Sequence, residues 1–199
     1  MSKKILVLKS SPRGNNAVSN QLVDILKAKF ETTNASFTER DISKGFPFVT
    51  ETLIHAYFSD PLTHTDEQKA EIAISDELTN ELLAHDILVI GLPLYNFSIP
   101  AALKSYIDLI VRAGVTFKYN EPGKYVGLVK DKKVYLVLAA GGVPIGSAYE
   151  LASSYLKNVL GFIGITDVVV LGATGTNNPS IAEEEFAKAK AEIESLSLN

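Results

Sequence analysis

Cysteine is absent from this 199-residue chain, which excludes disulfides, thiolate metal sites and cysteine nucleophiles and is compatible with a reducing compartment. No apolar run approaches the roughly 18 residues of a spanning helix, and the short one after Met1–Lys4 is not a secretory signal. Cytoplasmic residence is therefore expected. An excess of positive charge is also lacking: 19 Lys and Arg stand against 23 Asp and Glu, a formal net charge of -4. Such a chain is not drawn to phosphate backbones or anionic lipid, so neither nucleic acid nor a membrane is an expected partner. Low-complexity tracts and repeats with a period of about 20 to 50 residues are missing too. His55, His64 and His85 lack metal-ligand spacing and read as surface or capping residues, so no metal is expected, and there is no G-x-S-x-G.

What remains is 46% apolar and 21% charged, ordinary for one globular domain spanning residues 1–199. Short apolar, β-branched runs at Ile5–Leu8, Ile87–Ile90, Val134–Leu138 and Val168–Leu171 suit parallel strands buried on both faces. The more polar Ser36–Arg40 suits an edge. Helical periods separate them, carried by Val18, Leu22, Ile25, Leu26 and Phe30; by Leu103, Ile107, Ile110 and Val111; by Leu151, Tyr155, Leu156, Val159 and Leu160; and by Phe186, Ala189, Ile193 and Leu196. A further helix runs from about Asp66 to Leu83. Thr65 with Gln68, Ser147 with Glu150 and Ser180 with Glu183 have capping-box spacing, and Pro100 suits a first helical turn. Strand and helix alternating in this way predict an α/β fold: a doubly wound five-stranded parallel sheet of order 2-1-3-4-5 with helices on both faces. Two insertions, 44–64 and 113–132, carry aromatics that suggest pocket walls or an interface rather than linkers.

Three strand-to-helix loops would border one crevice outside the carboxyl ends of the strands. The first, Lys9–Gln21, is rich in hydroxyls and amides and ends at a helix N-terminus. Free amides and the helix dipole favour a phosphate there, with Ser11 and Ser19 donating hydroxyl hydrogens and Arg13 adding a positive charge. Neither G-x-G-x-x-G nor a P-loop is present, so a monophosphate fits better than a pyrophosphate or triphosphate; Ser and Asn as mere caps and turn formers are the competing reading. In the second loop, Gly91–Pro100, Tyr95, Asn96 and Phe97 are either contacts for a flat, polar-edged ligand or aromatics packed into the core. The third, Ala139–Ser147, has adjacent glycines that allow close backbone approach or simply make a turn. Taken together, the three suit flavin mononucleotide (FMN).

Nearly end to end, the chain resembles the FMN-dependent NAD(P)H azoreductases and quinone oxidoreductases of the flavodoxin-like superfamily. The likeness is carried by Leu6–Ser11 with Ser19–Leu22, by Pro93–Phe97, by Arg112–Tyr119, by Gly141–Gly142 and by Leu160–Asp167. It implies a homodimer with one FMN per subunit near the interface. Phosphate would be held around Ser11, Ala17, Val18 and Ser19, and the isoalloxazine against Pro93, Leu94, Tyr95, Asn96, Phe97, Ala139, Ala140, Gly141 and Gly142. Ala17 and Val18 stand where the family often has a further hydroxyl or amide, which shifts phosphate binding toward Asn15, Asn16 and backbone amides. Ala139-Ala140 stands where Ser-Arg is common, removing a positive charge near the flavin.

The resemblance also implies the chemistry: hydride passes from NADH or NADPH to flavin N5, and a quinone or azo compound then takes the nicotinamide's place. No protein nucleophile is needed, and no catalytic side chain is assigned. Phe97, Tyr119 and Phe162 are candidate apolar walls of the substrate pocket. For Phe162 simple packing competes, and for Tyr119 a dimer contact. The alternative function is a flavodoxin-like FMN electron carrier that does not turn over nicotinamide.

Overall fold

A computed structural model describes residues 2–121 and 123–198 of the chain. Its elements follow in chain order: β1 (Lys4–Lys9), α1 (Val18–Glu31), β2 (Ser36–Asp41), α2 (Glu51–Phe58), α3 (Asp66–Ala84), β3 (Ile87–Pro93), α4 (Ala101–Ile110), β4 (Phe117–Glu121), β5 (Lys124–Gly127), β6 (Lys133–Ala140), α5 (Leu151–Ile163), β7 (Asp167–Thr174) and α6 (Ala182–Ser195). Five strands form a parallel sheet of order β2-β1-β3-β6-β7, while β4 and β5 pair as a separate antiparallel hairpin. Numbered without the hairpin, the sheet runs 2-1-3-4-5.

Alternation along each strand divides the core into two layers. Leu6, Leu8, Leu88, Ile90, Leu136 and Leu138 face α3, α4 and α5. Ile5, Val7, Val89, Tyr135 and Val137 face α1 and α6. Every residue of β3 is buried, as the middle of a sheet covered on both faces requires, whereas β2 is largely exposed at an edge. Strand order reverses between β1 and β3, so the crevice opens at their carboxyl ends.

Both insertions have structure of their own. In the first, Thr50 caps α2 by accepting from the Leu53 amide at 3.0 Å. Tyr57 is held beneath the Arg112 guanidinium, 4.8 Å from ring centre, and donates to Ser75 Oγ at 3.0 Å; burial pushes its phenol up. Arg112 itself pairs with Asp76. The second insertion is the β4–β5 hairpin, which docks on the end of α5 through Phe117, Tyr125 and Phe162.

Three local expectations change. The capping box at Thr65 and Gln68 is present, but Ser147 does not cap α5. Glu150 occupies the cap, its buried carboxylate accepting from the Ser153 amide at 2.7 Å and leaving Ser147 in the preceding turn. Nor does Ser180 cap α6: its amide donates to Asn178 Oδ1, and α6 opens at Ile181 without a side-chain cap, its first turn favoured by Glu183, Glu184 and Glu185. Finally, His64 is buried, with Nε2 3.1 Å from the Ala56 carbonyl, because the turn after α2 folds back over it. His85 does end α3, with Nδ1 against the Glu81 carbonyl at 2.6 Å. Among the described residues no helix is long and apolar enough to cross a membrane, and no cluster of His, Asp and Glu could hold a metal.

Candidate functional site

At the carboxyl ends of β1, β3, β6 and β7 lies a cleft of about 200 Å³. The segment after β1 contributes Ser11, Arg13, Ala17, Val18 and Ser19; the end of β3 and the residues after it, Pro93, Leu94 and Tyr95; the end of β6 and the residue after it, Ala139 and Gly141; the segment after β7, Thr176 and Asn177. A hydrogen bond from the Leu94 amide to the Ala139 carbonyl, 2.8 Å, ties the two central walls together.

The end of the cleft beside α1 is built for an anion. Ala17 is the N-cap and has no side chain to satisfy the first-turn amides, which lack intrahelical acceptors. Ser19, in that first turn, is fully buried, and its hydroxyl has no partner among the described residues. The neighbouring Asn20 donates from Nδ2 to the Gly14 carbonyl at 2.9 Å, leaving Oδ1 unpaired. No carboxylate lines the cleft, and its one cation, Arg13, forms no ion pair among the described residues. The unpaired Ser19 hydroxyl and the free first-turn amides, in an acid-free pocket at a helix terminus, fit a phosphate, while Asn20 Oδ1, an acceptor beside Gly91, takes no part. FMN therefore suits the residues present: phosphate at Ser11, Ser19 and the α1 amides, ring along the loops after β3 and β6.

The loop after β3 ends in a tight turn. Tyr95 and Ser98 exchange backbone hydrogen bonds of 3.0 Å each way, and the two residues between them have positive φ, 48° at Asn96 and 70° at Phe97. This is the signature of a type I′ turn, in which Asn is well suited and Phe is not. A bulky side chain held at positive φ is a strained position of the kind that clusters at ligand sites. Asn96 borders a neighbouring depression with Tyr95, Ile99 and Tyr155, rather than the cleft. Phe97 is 53% exposed and meets Tyr149 at 6.5 Å.

Ala140 is buried beneath the cleft floor, offering its carbonyl to Thr176, and Gly142 also lies outside the lining. Tyr119 and Phe162 belong to a different cluster, meeting Phe117 edge-on at 5.5 Å and tilted at 4.5 Å. Within one chain they do not share a wall with Phe97.

A family model described as a flavodoxin-like fold matches residues 3–196. The FMN-dependent NADH:quinone oxidoreductase 1 of Hahella chejuensis is 45% identical over 172 residues, 85% of this chain and 84% of that protein. The FMN-dependent NADH:quinone oxidoreductase of Cellvibrio japonicus is 41% identical over 193 residues, 96% of each. The chain belongs to this flavodoxin-like family. Among solved structures, an azoreductase from Bacillus anthracis superposes with a TM-score of 0.87 at 34% identity over 97% of both chains. An FMN-dependent NADH-azoreductase of the same species, in complex with FMN, gives 0.82 at 25% identity over 98% of both.

Two lining residues of this family member, Thr176 and Asn177, were not expected. Their segment carries no glycine spacing or aromatic motif. The signal that identifies it is positional: it follows the last strand of the sheet, and every carboxyl end bordering a switch point is a candidate wall.

Proposed function

We propose that the chain is an FMN-dependent NADH:quinone oxidoreductase that also reduces aromatic azo compounds. The observation that carries this is the orphan Ser19 hydroxyl and uncapped α1 terminus opening into a cleft walled by the loops after β3, β6 and β7. The chemistry FMN supplies when bound is two-electron transfer, a hydride in from NADH and out to the oxidant. Ser11, Ser19 and the amides of Val18 and Ser19 bind the phosphate beside Ala17, with Arg13 adding charge. Pro93 to Tyr95, Ala139 and Gly141 hold the ring and exclude water from it. Asn96 stands on the turn next to this wall and borders the adjoining depression. Residues 1–199 act as one FMN-binding unit, working in the cytoplasm.

We infer a homodimer for this function. Tyr119 is 65% exposed on the hairpin, and Phe162 lines an apolar depression of about 410 Å³ with Val111, Tyr155 and Val159. A substrate pocket containing Phe97, Tyr119 and Phe162 thus calls for a second copy.

The test is to load purified protein with FMN and add NADH without oxygen. Visible flavin absorption should bleach within the mixing time of a conventional assay and recover on adding a quinone or an azo dye. Bleaching only by a partner reductase would replace this reading with the electron carrier. NADPH in parallel sets the donor preference, and sedimentation of the loaded protein checks the dimer.

A further inference from the structure

Asn177 stands at the end of the cleft remote from α1. The sheet order β1-β3-β6-β7 puts three interstrand steps, about 14 Å, between the loop that holds Ser11 and Ser19 and the loop that holds Asn177. A ligand anchored by phosphate at α1 therefore crosses the ends of β3 and β6 before it reaches this residue. The backbone here is fixed. Thr176 donates to the Ala140 carbonyl from its amide at 3.1 Å and from its hydroxyl at 3.2 Å, and the Asn177 amide donates to the Gly141 carbonyl at 3.3 Å.

The Asn177 side chain lies over Gly141. A methyl group at position 141 would stand 2.4 Å from Asn177 Nδ2 and 2.9 Å from Cγ, so any residue larger than glycine displaces that amide. Asn177 is exposed on the rim of the cleft, and its side-chain amide, which makes no hydrogen bond to the described residues, is free to meet whatever occupies the cleft. An anchored backbone and a glycine opposite set this amide on the cleft wall, where a ligand crossing the end of β6 meets it.

We propose that Asn177 is a cofactor-binding residue, its amide meeting the polar edge of the flavin ring at the end away from the phosphate, and that position 141 is glycine to leave room for it. This rests on the FMN reading above. A donor at that edge also favours the negative charge that develops there on reduction, so Asn177 raises the flavin potential.

The experiment uses apoprotein titrated with FMN, followed by quenching of flavin fluorescence, together with the midpoint potential of the bound flavin. Asn177→Ala should weaken FMN by about 3- to 10-fold, the effect of one polar contact, and move the potential negative. Asn177→Asp keeps the shape but only accepts at neutral pH, and should move the potential further in the same direction. Gly141→Ala should weaken FMN in the otherwise native protein and add little once Asn177→Ala has removed the group it displaces. Native affinity and potential in both Asn177 variants would overturn the proposal, as would simple additivity of Gly141→Ala with Asn177→Ala. Failure of the native apoprotein to bind FMN would instead overturn the cofactor reading, and this inference with it.

Discussion

Ser19 has a hydroxyl that folding removes from water without giving it a partner among the described residues. Leaving such a group unsatisfied costs about 1 to 3 kcal/mol, so its presence at a helix terminus makes sense through a ligand rather than through the apoprotein. Ser19→Ala should therefore leave the urea midpoint of the apoprotein unchanged or raised, while weakening FMN by about tenfold. Riboflavin, which lacks the phosphate, should bind native and variant protein alike. A parallel loss of apoprotein stability and FMN affinity would show the hydroxyl to be structural. Phe97 shows the same separation of stability from use: its positive φ is costly locally, and its ring is more than half exposed.

At the scale of elements, the β4–β5 hairpin is the part most separable from the sheet. It is held by the Val129 amide on the Ile163 carbonyl at 2.9 Å, by the Phe117 and Tyr125 rings on Phe162, and by a backbone approach at Gly127. A methyl group at Gly127 would lie 2.2 Å from the Gly164 nitrogen and 2.3 Å from the Ile163 carbonyl carbon, neither of which can step aside. Gly127→Ala is thus expected to lift the hairpin from α5 and to cost about 1 to 3 kcal/mol. Hydrogen exchange should rise across 117–127 while the amides of β1, β3 and β6 stay protected. The separate hairpin also explains why Tyr119 and Phe162 do not stand beside Phe97: they are placed by the end of α5, not by the loop after β3.

Across the whole molecule, acid should act first at one edge of the sheet. On β2, Glu39 is held below the usual carboxylate range mainly by its hydrogen bond from Lys27, with Lys9 also near, and Asp41 mainly by the backbone amide of Ser43. Carboxyls depressed in the folded state contribute stability that is present above their ordinary values, about 4, and is lost as pH falls through the depressed ones. The urea midpoint should accordingly hold between about pH 7 and pH 5 and fall below about pH 4. The double variant Glu39→Gln, Asp41→Asn should flatten that fall, and an unchanged slope would assign the acid sensitivity to other carboxyls.

Much of this architecture was legible in the chain alone. Parallel strands covered on both faces must be apolar almost throughout, so Ile5–Leu8, Ile87–Ile90 and Val134–Leu138 announce themselves, and the exposed edge Ser36–Asp41 shows by its polarity. Parallel strands then oblige the loops after β1, β3 and β6 to meet at one end, which makes Ser11, Ser19, Leu94, Tyr95 and Gly141 readable as neighbours from the chain alone. Tertiary structure decided the rest, because it turns on contacts between distant segments. Glu150 rather than Ser147 caps α5 because its carboxylate is buried where the Ser153 amide can reach it. Ala140 points away from the cleft while Gly141 forms its edge, a choice set by the register of β6 against β7. Asn177 joins the site only because β7 lies beside β6 and hangs its loop from the Ala140 and Gly141 carbonyls, an arrangement that no local pattern of residues encodes.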